Sequence, residues 1–149
     1  MNVEKLTNKS REAIEKARSV AGEYSASAIG DVHLLIALLS DSEGLIPSLL
    51  KKMETNVPEL LEGSREIAAS MPKVSGAGYS NENVYVTREC DKVLSGSEKI
   101  MSDMGDEYIS VEHIFLSMTD NASDKVKDLL KKHKITKKRS SFRAEENTR

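Results

Sequence analysis

The chain has 149 residues, of which 38% are hydrophobic, 31% are charged and only 4% are aromatic. This balance is typical of one soluble, helix-rich domain. The formal net charge of -2 supplies no global positive field, which argues against nucleic acid and anionic membranes as partners. No signal peptide or membrane-spanning run is visible, and a single cysteine excludes an intrachain disulfide. These properties predict a cytoplasmic protein.

The first predicted helix follows Thr7, whose hydroxyl can cap the exposed amide groups of the first turn. Apolar residues then recur at steps of three and four, which is the period of one helix face. They are Ala13, Ile14, Ala17, Val20, Ala21 and Tyr24. Gly22 is expected near the end of this helix.

The second predicted helix contains "DVHLLIALL", residues 31–39, the least polar run in the chain. A helix that is apolar nearly all round is stable only when it is buried on most sides, so this helix should lie in the core, with Asp31 as its cap. A third helix carries Ile46, Leu49, Leu50 and Met53. A fourth is expected from about Asn56 to Ser70, with Pro58 in its first turn.

The chain is an internal duplication, because the pattern of the first half returns 80 residues later without a gap from Thr7/Thr87 to Met53/His133. Thr87 and Ser110 are the predicted caps of the repeated first and second helices. The repeated apolar positions are Val93, Leu94, Ser97, Ile100, Met101 and Met104, followed by "VEHIFLSMT" at 111–119 and by Val126, Leu129, Leu130 and His133. The fourth helix does not recur, since Ser140 and Ser141 replace Leu60 and Leu61.

The pattern predicts an all-α fold of about eight helices in two tandem repeats. The expected boundaries are a first repeat at 1–71, a linking loop at 72–86, a second repeat at 87–135 and a frayed or marginal helical tail at 136–149. "VYV", residues 84–86, alternates like a strand, but no partner strand is evident, so we expect it to belong to the loop.

Catalytic and cofactor signatures are missing from the sequence. No G-x-x-x-x-G-K-[ST] motif occurs, which predicts that this chain neither hydrolyses ATP nor binds it as a cofactor. His33 and His113 are repeat equivalents, which favours a shared packing or capping role at a helix start over metal binding. Cys90 has no patterned His and Asn or Asp partner, so a partly buried structural thiol is expected.

The duplicated unit resembles the Clp amino-terminal domain, and more closely that of the ClpB-type disaggregase chaperones. The resemblance covers residues 1 to about 135 and is carried by "LTNKSREAIEKA" (6–17), "SEGLIPSLLKKM" (42–53), "MPKVSGAG" (71–78) and "DEYISVEHIFLSM" (106–118). It implies two pseudo-twofold-related Clp repeats ahead of two AAA+ ATPase modules in a hexameric full-length protein. The domain itself is then expected to be monomeric and to bind exposed apolar segments of unfolded or aggregated proteins weakly.

The resemblance also implies which residues contact substrate. By position they are Thr7, Leu94, Asp106, Glu112 and His113, with Tyr108 bordering the same surface, and His113 replaces an apolar residue of the family pattern. We expect Leu94 to stand where the core opens to solvent. Structural interpretations remain open for the same residues, with Thr7 as a cap, Leu94 as core and the two acids as favourable first-turn charges.

An alternative from another functional class is an adaptor-docking or phosphoarginine-tag-binding domain, since related Clp unfoldases use this fold in that way. Glu112 near Thr87 would then bind a guanidinium group. In the first repeat the corresponding acid is replaced by Val32, which weakens this alternative.

Overall fold

The computed structural model describes residues 2–73 and 85–136. Within these ranges it has seven α-helices, a 3-10 turn at Val3–Lys5 and two strands of two residues each. The helices are α1 (Asn8–Glu23), α2 (Asp31–Ser40), α3 (Leu45–Lys52), α4 (Val57–Ser70), α5 (Arg88–Asp103), α6 (Val111–Asn121) and α7 (Asp124–Lys132). The predicted all-α class is confirmed. Most of the predicted loop and nearly all of the predicted tail lie outside the described residues.

The helix starts follow the predicted repeat closely. Thr7 and Thr87 are the N-caps of α1 and α5, and each hydroxyl oxygen accepts the backbone N–H three residues on, at 3.1 Å in both repeats. α4 begins at Val57 with Pro58 in its first turn, where the missing N–H of a proline leaves no hydrogen bond unmade.

α2 and α6 form the centre of the domain because the other helices pack around them. α1 packs on α2 and α5 on α6, while α4 lies across α2 and reaches α7. Every residue of α2 from Asp31 to Leu39 is buried, as its apolar sequence predicts. In the described part of the chain no single helix is both long and apolar enough to cross a bilayer. α2 and α3 pass that test only as a pair, bent by 82°.

The expectation that residues 84–86 contribute no strand is wrong. Tyr85–Val86 forms strand β2, which pairs in parallel with β1, Ala28–Ile29, just before α2. The Thr87 N–H extends this pairing by donating to the Ile29 carbonyl at 2.9 Å. The sequence pattern could not reveal the strand, because its partner is only two residues long and belongs to the other repeat.

A related backbone contact joins the start of α1 to the segment that precedes α6. Leu6 and Ile109 form a parallel bridge, and the Thr7 N–H donates to the Ile109 carbonyl at 3.1 Å. Each first helix therefore begins against the segment that precedes the second helix of the opposite repeat. This exchange places Thr7 beside α6 and Thr87 beside α2.

One predicted helix cap is corrected, and the glycines expected near the ends of the first helices lie there. Gly30, not Asp31, is the N-cap of α2. Asp31 is buried in the first turn, where its carboxylate accepts the Ser123 N–H at 2.6 Å. Gly105, with φ of 74°, takes the left-handed position after α5, as a glycine does easily. In the first repeat Ser25, with φ of 53°, takes that position, and Gly22 lies within α1.

Candidate functional site

The start of α6 is held by a two-way hydrogen-bonded cap. The hydroxyl of Ser110 accepts the His113 N–H at 3.4 Å, and Nδ1 of His113 accepts the Ser110 N–H at 2.9 Å. Because a backbone N–H can only donate, Nδ1 is an acceptor and the proton of the neutral ring lies on Nε2. Nε2 is 2.8 Å from Oδ2 of Asp106, to which it donates. The predicted structural role of this histidine at a helix start is confirmed.

The loop before α6 presents negative charge to solvent. The Asp106 side chain is 49% exposed, although its partner His113 is almost wholly buried. Burial raises the pKa of Glu112 above its ordinary value, an effect that His113 opposes and the charge of Asp106 reinforces. Next to these acids Tyr108 is 56% exposed, so an aromatic ring stands on an acidic surface.

The beginning of α1 belongs to the same surface. The Ser10 hydroxyl donates to the Ile109 carbonyl at 2.8 Å, and the Ile109 N–H donates to the Lys5 carbonyl at 2.7 Å. These bonds add to the one from Thr7, so the loop at 106–110 is fixed against the α1 N-terminus. Thr7 and Ser110 consequently line one groove.

This groove, hereafter the open groove, has a volume of about 710 Å³. It runs between the N-terminal half of α1, the α2–α3 connection and the start of α6. Its floor is apolar and its rim carries charges of both signs. The floor contains Ala13, Ala37, Leu38, Leu45, Ile46 and Val111, and the rim contains Lys9, Glu12, Lys16, Asp41 and Glu43. An apolar floor with a charged rim suits a short peptide segment better than a small polar substrate.

The repeat generates a second groove of about 230 Å³, hereafter the covered groove. Many of its lining residues are the repeat equivalents of residues that line the open groove. The covered groove has Asp31, Thr87, Glu89, Ser123, Asp124 and Lys125. In the same order, the open groove has Val111, Thr7, Lys9, Glu43, Gly44 and Leu45. Ile67 and Met71 of α4 also line it, and no described residue lies in their place at the open groove.

Met71 closes the covered groove tightly over Gly30. A Cβ atom added to Gly30 would lie 2.9 Å from Cε of Met71, so the end of the Met71 side chain would have to shift to admit a side chain there. The equivalent position at the open groove is Ser110, which carries a side chain. Among the described residues, the two repeats therefore present a smaller, partly covered version and a larger version of the same surface.

The structure brings together five of the six predicted site residues. These five lie on or just under the surface at the start of α6, and they are Thr7, Asp106, Tyr108, Glu112 and His113. Leu94 is only 8% exposed and belongs to the core. The expectation that it stands where the core opens to solvent is wrong, because α6 packs over the apolar face of α5.

The expected pairing of Glu112 with Thr87 is also wrong. Thr87 lies beside Asp31 and Val32, whereas Glu112 lies near Asp106 and His113 on the side of Thr7. The reason is the exchange between repeats, in which each first helix meets the second helix of the opposite repeat. Sequence positions within one repeat could not indicate this.

The sequence interpretation missed the apolar floor of the open groove, including Leu38 and Leu45. One sequence signal indicates this floor. The apolar stripe of α4 has no copy in the second repeat, so the surface that α4 covers in the first repeat has no equivalent helix to cover it in the second. Among the described residues no group of three or more His, Cys, Asp and Glu side chains could hold a metal ion.

Comparisons with known proteins agree with this geometry. The family model of the Clp repeat (R) N-terminal domain matches residues 5–133. The chaperone protein ClpB of Clostridium tetani (strain Massachusetts / E88) is 38% identical over 137 residues, which are 92% of this chain and 16% of that protein. The crystal structure of the Hsp104 N-terminal domain from Candida albicans superposes with a TM-score of 0.76 at 18% identity, over 93% of this chain and 88% of that one.

A third similar structure contains a bound partner. It is a complex of the ClpV N-domain with a VipB peptide, with a TM-score of 0.67 at 20% identity, covering 87% of this chain and 79% of that one. At this identity the likeness concerns the fold. The chain spans about a sixth of the length of the curated relatives that it matches.

Proposed function

Because the chain belongs to the Clp repeat N-terminal domain family, we propose that it is the substrate-engaging domain of a ClpB-type disaggregase. In this role it binds exposed apolar segments of unfolded or aggregated proteins and presents them to an ATPase ring formed by other parts of the full-length protein. The observation that carries the proposal is the contrast between the covered groove and the open groove with its apolar floor.

The open groove suits weak and reversible capture. Burial of about 300 Å² of apolar surface would contribute about 7 kcal/mol at about 25 cal/mol per Å². Association itself costs about 4 to 15 kcal/mol in lost translational and rotational freedom. At most about 3 kcal/mol remains, which corresponds to a Kd in the millimolar range for the apolar floor alone. Such weak binding allows a chaperone to release what it has bound.

We assign the predicted residues different parts in this binding. Thr7 lines the open groove, and Asp106 and Tyr108 stand on the exposed loop beside it, so we assign them direct contact with the client. Glu112, in the first turn of α6 near Asp106, adds negative charge to the same surface. His113 positions Asp106 from below through the bond at Nε2. Leu94 supports this surface from the core rather than touching the client.

The proposal is tested by titrating the domain into a fluorescently labelled, permanently unfolded model protein and following fluorescence anisotropy. We expect Tyr108→Ala to weaken binding about fivefold, because a well-placed aromatic side chain contributes about 1 kcal/mol or more to an interface. Tyr85→Ala is the matched control, since Tyr85 is 78% exposed but belongs to β2, next to β1 and away from the open groove. Equal losses for the two variants, or no binding by the unmodified domain, would contradict the proposal.

Adaptor docking is the second candidate function, favoured by the peptide complex of a structurally similar ClpV N-domain. A helical adaptor peptide would use the same apolar floor, whereas a phosphoarginine tag would depend on Asp106 and Glu112. Titration of free phosphoarginine and of a candidate adaptor in the same assay separates these possibilities. Binding of an adaptor at concentrations where the unfolded client does not bind would favour the second candidate.

A further inference from the structure

The segment that precedes α2 in the first repeat has backbone partners on both sides. On one side β1 pairs with β2. On the other side Ala26 forms an antiparallel bridge with Lys73, and the Ser27 N–H donates to the Pro72 carbonyl at 3.2 Å. The residues that follow α4 therefore act as a short strand along this edge.

The equivalent segment of the second repeat, Asp106–Ile109, has a partner on one side only. Ile109 bridges to Leu6, as β1 does to β2. Glu107 is the counterpart of Ser27, and within residues 2–73 and 85–136 no carbonyl accepts its N–H. All residues from Ser102 to Tyr108 are exposed. Within the described ranges, no segment pairs with this edge on its second side.

The edge of the second repeat is more acidic than the edge of the first. Ala26, Ser27 and Val32 of the first repeat correspond to Asp106, Glu107 and Glu112 of the second. The strand that covers the first edge carries Lys73 opposite Ala26, and side chains that oppose each other in a bridge lie on the same face. A strand at the second edge would place its corresponding side chain opposite Asp106, whose charge also acts on Glu112.

We propose that the edge at Asp106–Tyr108 binds an extended client segment in antiparallel pairing, with a lysine or arginine opposite Asp106. The inference rests on the proposed function and specifies its chemistry: the client adds a strand through its backbone, as Pro72–Lys73 does in the first repeat. Its carbonyl accepts the Glu107 N–H, and its basic side chain lies opposite Asp106, which attracts it; the negative charge of Glu107, the next residue along the strand, adds a weaker attraction at longer range. Tyr108 packs against the stem of that side chain.

The probe is a synthetic peptide of residues 64–73 of this chain, "SREIAASMPK", added in trans to the ¹⁵N-labelled domain. We expect the amide resonances of Glu107 and Tyr108 to shift on titration. The same peptide with Glu in place of Lys73 should bind at least threefold more weakly, because it brings like charge to the acidic edge. Equal binding of the two peptides would overturn the charge requirement and with it the proposal.

A pair of charge-reversal variants tests the edge from the protein side. Glu107→Lys should weaken binding of the peptide about three- to fivefold, because it replaces a negative charge beside the edge with a positive one that repels the basic side chain. Glu62→Lys is the matched control, since Glu62 is an exposed acid of α4. If the two variants bind the peptide equally, the edge is not the site.

Hydrogen exchange of the free domain supplies an independent check. We expect the Glu107 amide to exchange rapidly in the free domain and more slowly with the peptide bound. Protection in the free domain would overturn the proposal, because another segment of the same chain would then occupy the edge. Client binding by fluorescence anisotropy without any change at Glu107 would refute this inference and leave the proposed function standing, whereas a domain that binds no client refutes the proposed function.

Discussion

His33 and His113 occupy the same position in the two repeats but have different surroundings. Nδ1 of each ring accepts the N–H of the residue that caps its helix, at 2.8 Å and 2.9 Å. Nε2 of His113 has Asp106 as its partner, whereas Nε2 of His33 is buried without one among the described residues, because Ala26 stands where the aspartate would be. The two repeats therefore share the histidine cap and differ in the residue that faces Nε2.

The residues that follow α4 explain why the two histidines have different surroundings. In the first repeat Met71 and Lys73 lie over Gly30 and Ala26, so polar side chains there would be removed from water. In the second repeat the same surface is exposed and carries Asp106, Glu112 and Ser110. At these three positions the covered repeat has Ala26, Val32 and Gly30, and the other repeat has two acids and a serine.

Leu94→Gln should have the largest effect on stability, about 2 to 5 kcal/mol in the free energy of unfolding, because it places an amide in the core. The repeat equivalent Ile14 is only partly buried, so Ile14→Gln should cost less. Chemical denaturation of both variants measures the difference. A Leu94→Gln domain that is fully stable but binds clients poorly would instead place Leu94 in the binding surface.

Gly96→Lys should cost about 3 kcal/mol, because it introduces the side chain that the first repeat has at Lys16. A Cβ atom at Gly96 would collide with the side chains of Ser117 and Asn121, where α5 crosses α6. The reverse change, Lys16→Gly, lies on an exposed helix face and should cost about 1 kcal/mol. Equal losses in urea denaturation would show that the two helix pairs are packed alike.

Asp106→Ala makes the second repeat like the first and should cost about 1 to 2 kcal/mol, since it leaves Nε2 of His113 buried without an acceptor. Asp103→Ala is the control, because its ion pair with Lys99 is exposed and should contribute less than about 0.5 kcal/mol. Thermal unfolding of both variants at neutral pH is the measurement. If Asp106→Ala is as mild as the control, the bond to His113 does not stabilise the fold.

Cys90→Ser should change stability by less than about 1 kcal/mol, because Ser10 is the repeat equivalent and its hydroxyl is satisfied by the Ile109 carbonyl at 2.8 Å. In the native protein the thiol should resist alkylation, since burial, with Asp31 and Asp91, raises the pKa of Cys90 to about 12. Rapid labelling under native conditions, or a large loss of stability in the variant, would contradict this equivalence.

Glu112→Gln should have the smallest effect, a rise of about 1 °C in Tm at pH 7, because the position is partly solvated. The pKa of Glu112 is raised in the folded state, so that state holds more protons than the unfolded chain just above pH 4.5. Stability therefore falls as pH rises through this window, and glutamine removes that loss. A variant less stable than the parent at pH 7 would contradict the assignment.

The sequence predicts the helices well because local signals and packing agree. Thr7 and Thr87 cap their helices as expected, and the unbroken apolar run of α2 lies in the core. The strand pair and the exchange between repeats could not be predicted, because they depend on contacts between Ile29 and Thr87 or between Ile109 and Thr7. Such contacts leave no periodic pattern in the sequence.

The candidate site was predicted only in part for a related reason. Asp106 and Glu112 were predicted from the family resemblance, with Tyr108 expected beside them, and the three residues lie near one another at the start of α6. Leu94 was misplaced because helical periodicity cannot distinguish the centre of an apolar stripe from its edge. The missing copy of the α4 stripe indicates that the two repeats differ, but the place where α4 packs, on α2 and α7, does not follow from the sequence pattern.

The most direct test of this account is to map the binding of an unfolded model protein on the ¹⁵N-labelled domain by amide resonance shifts. The account predicts shifts in the second-repeat surface, at Thr7, Ser110 and the loop at 106–108. The repeat equivalents Thr87, Gly30 and the segment at 26–28 should remain unchanged because α4 and Lys73 cover that surface. Shifts of equal size at both sets, or shifts confined to the first-repeat surface, would contradict it.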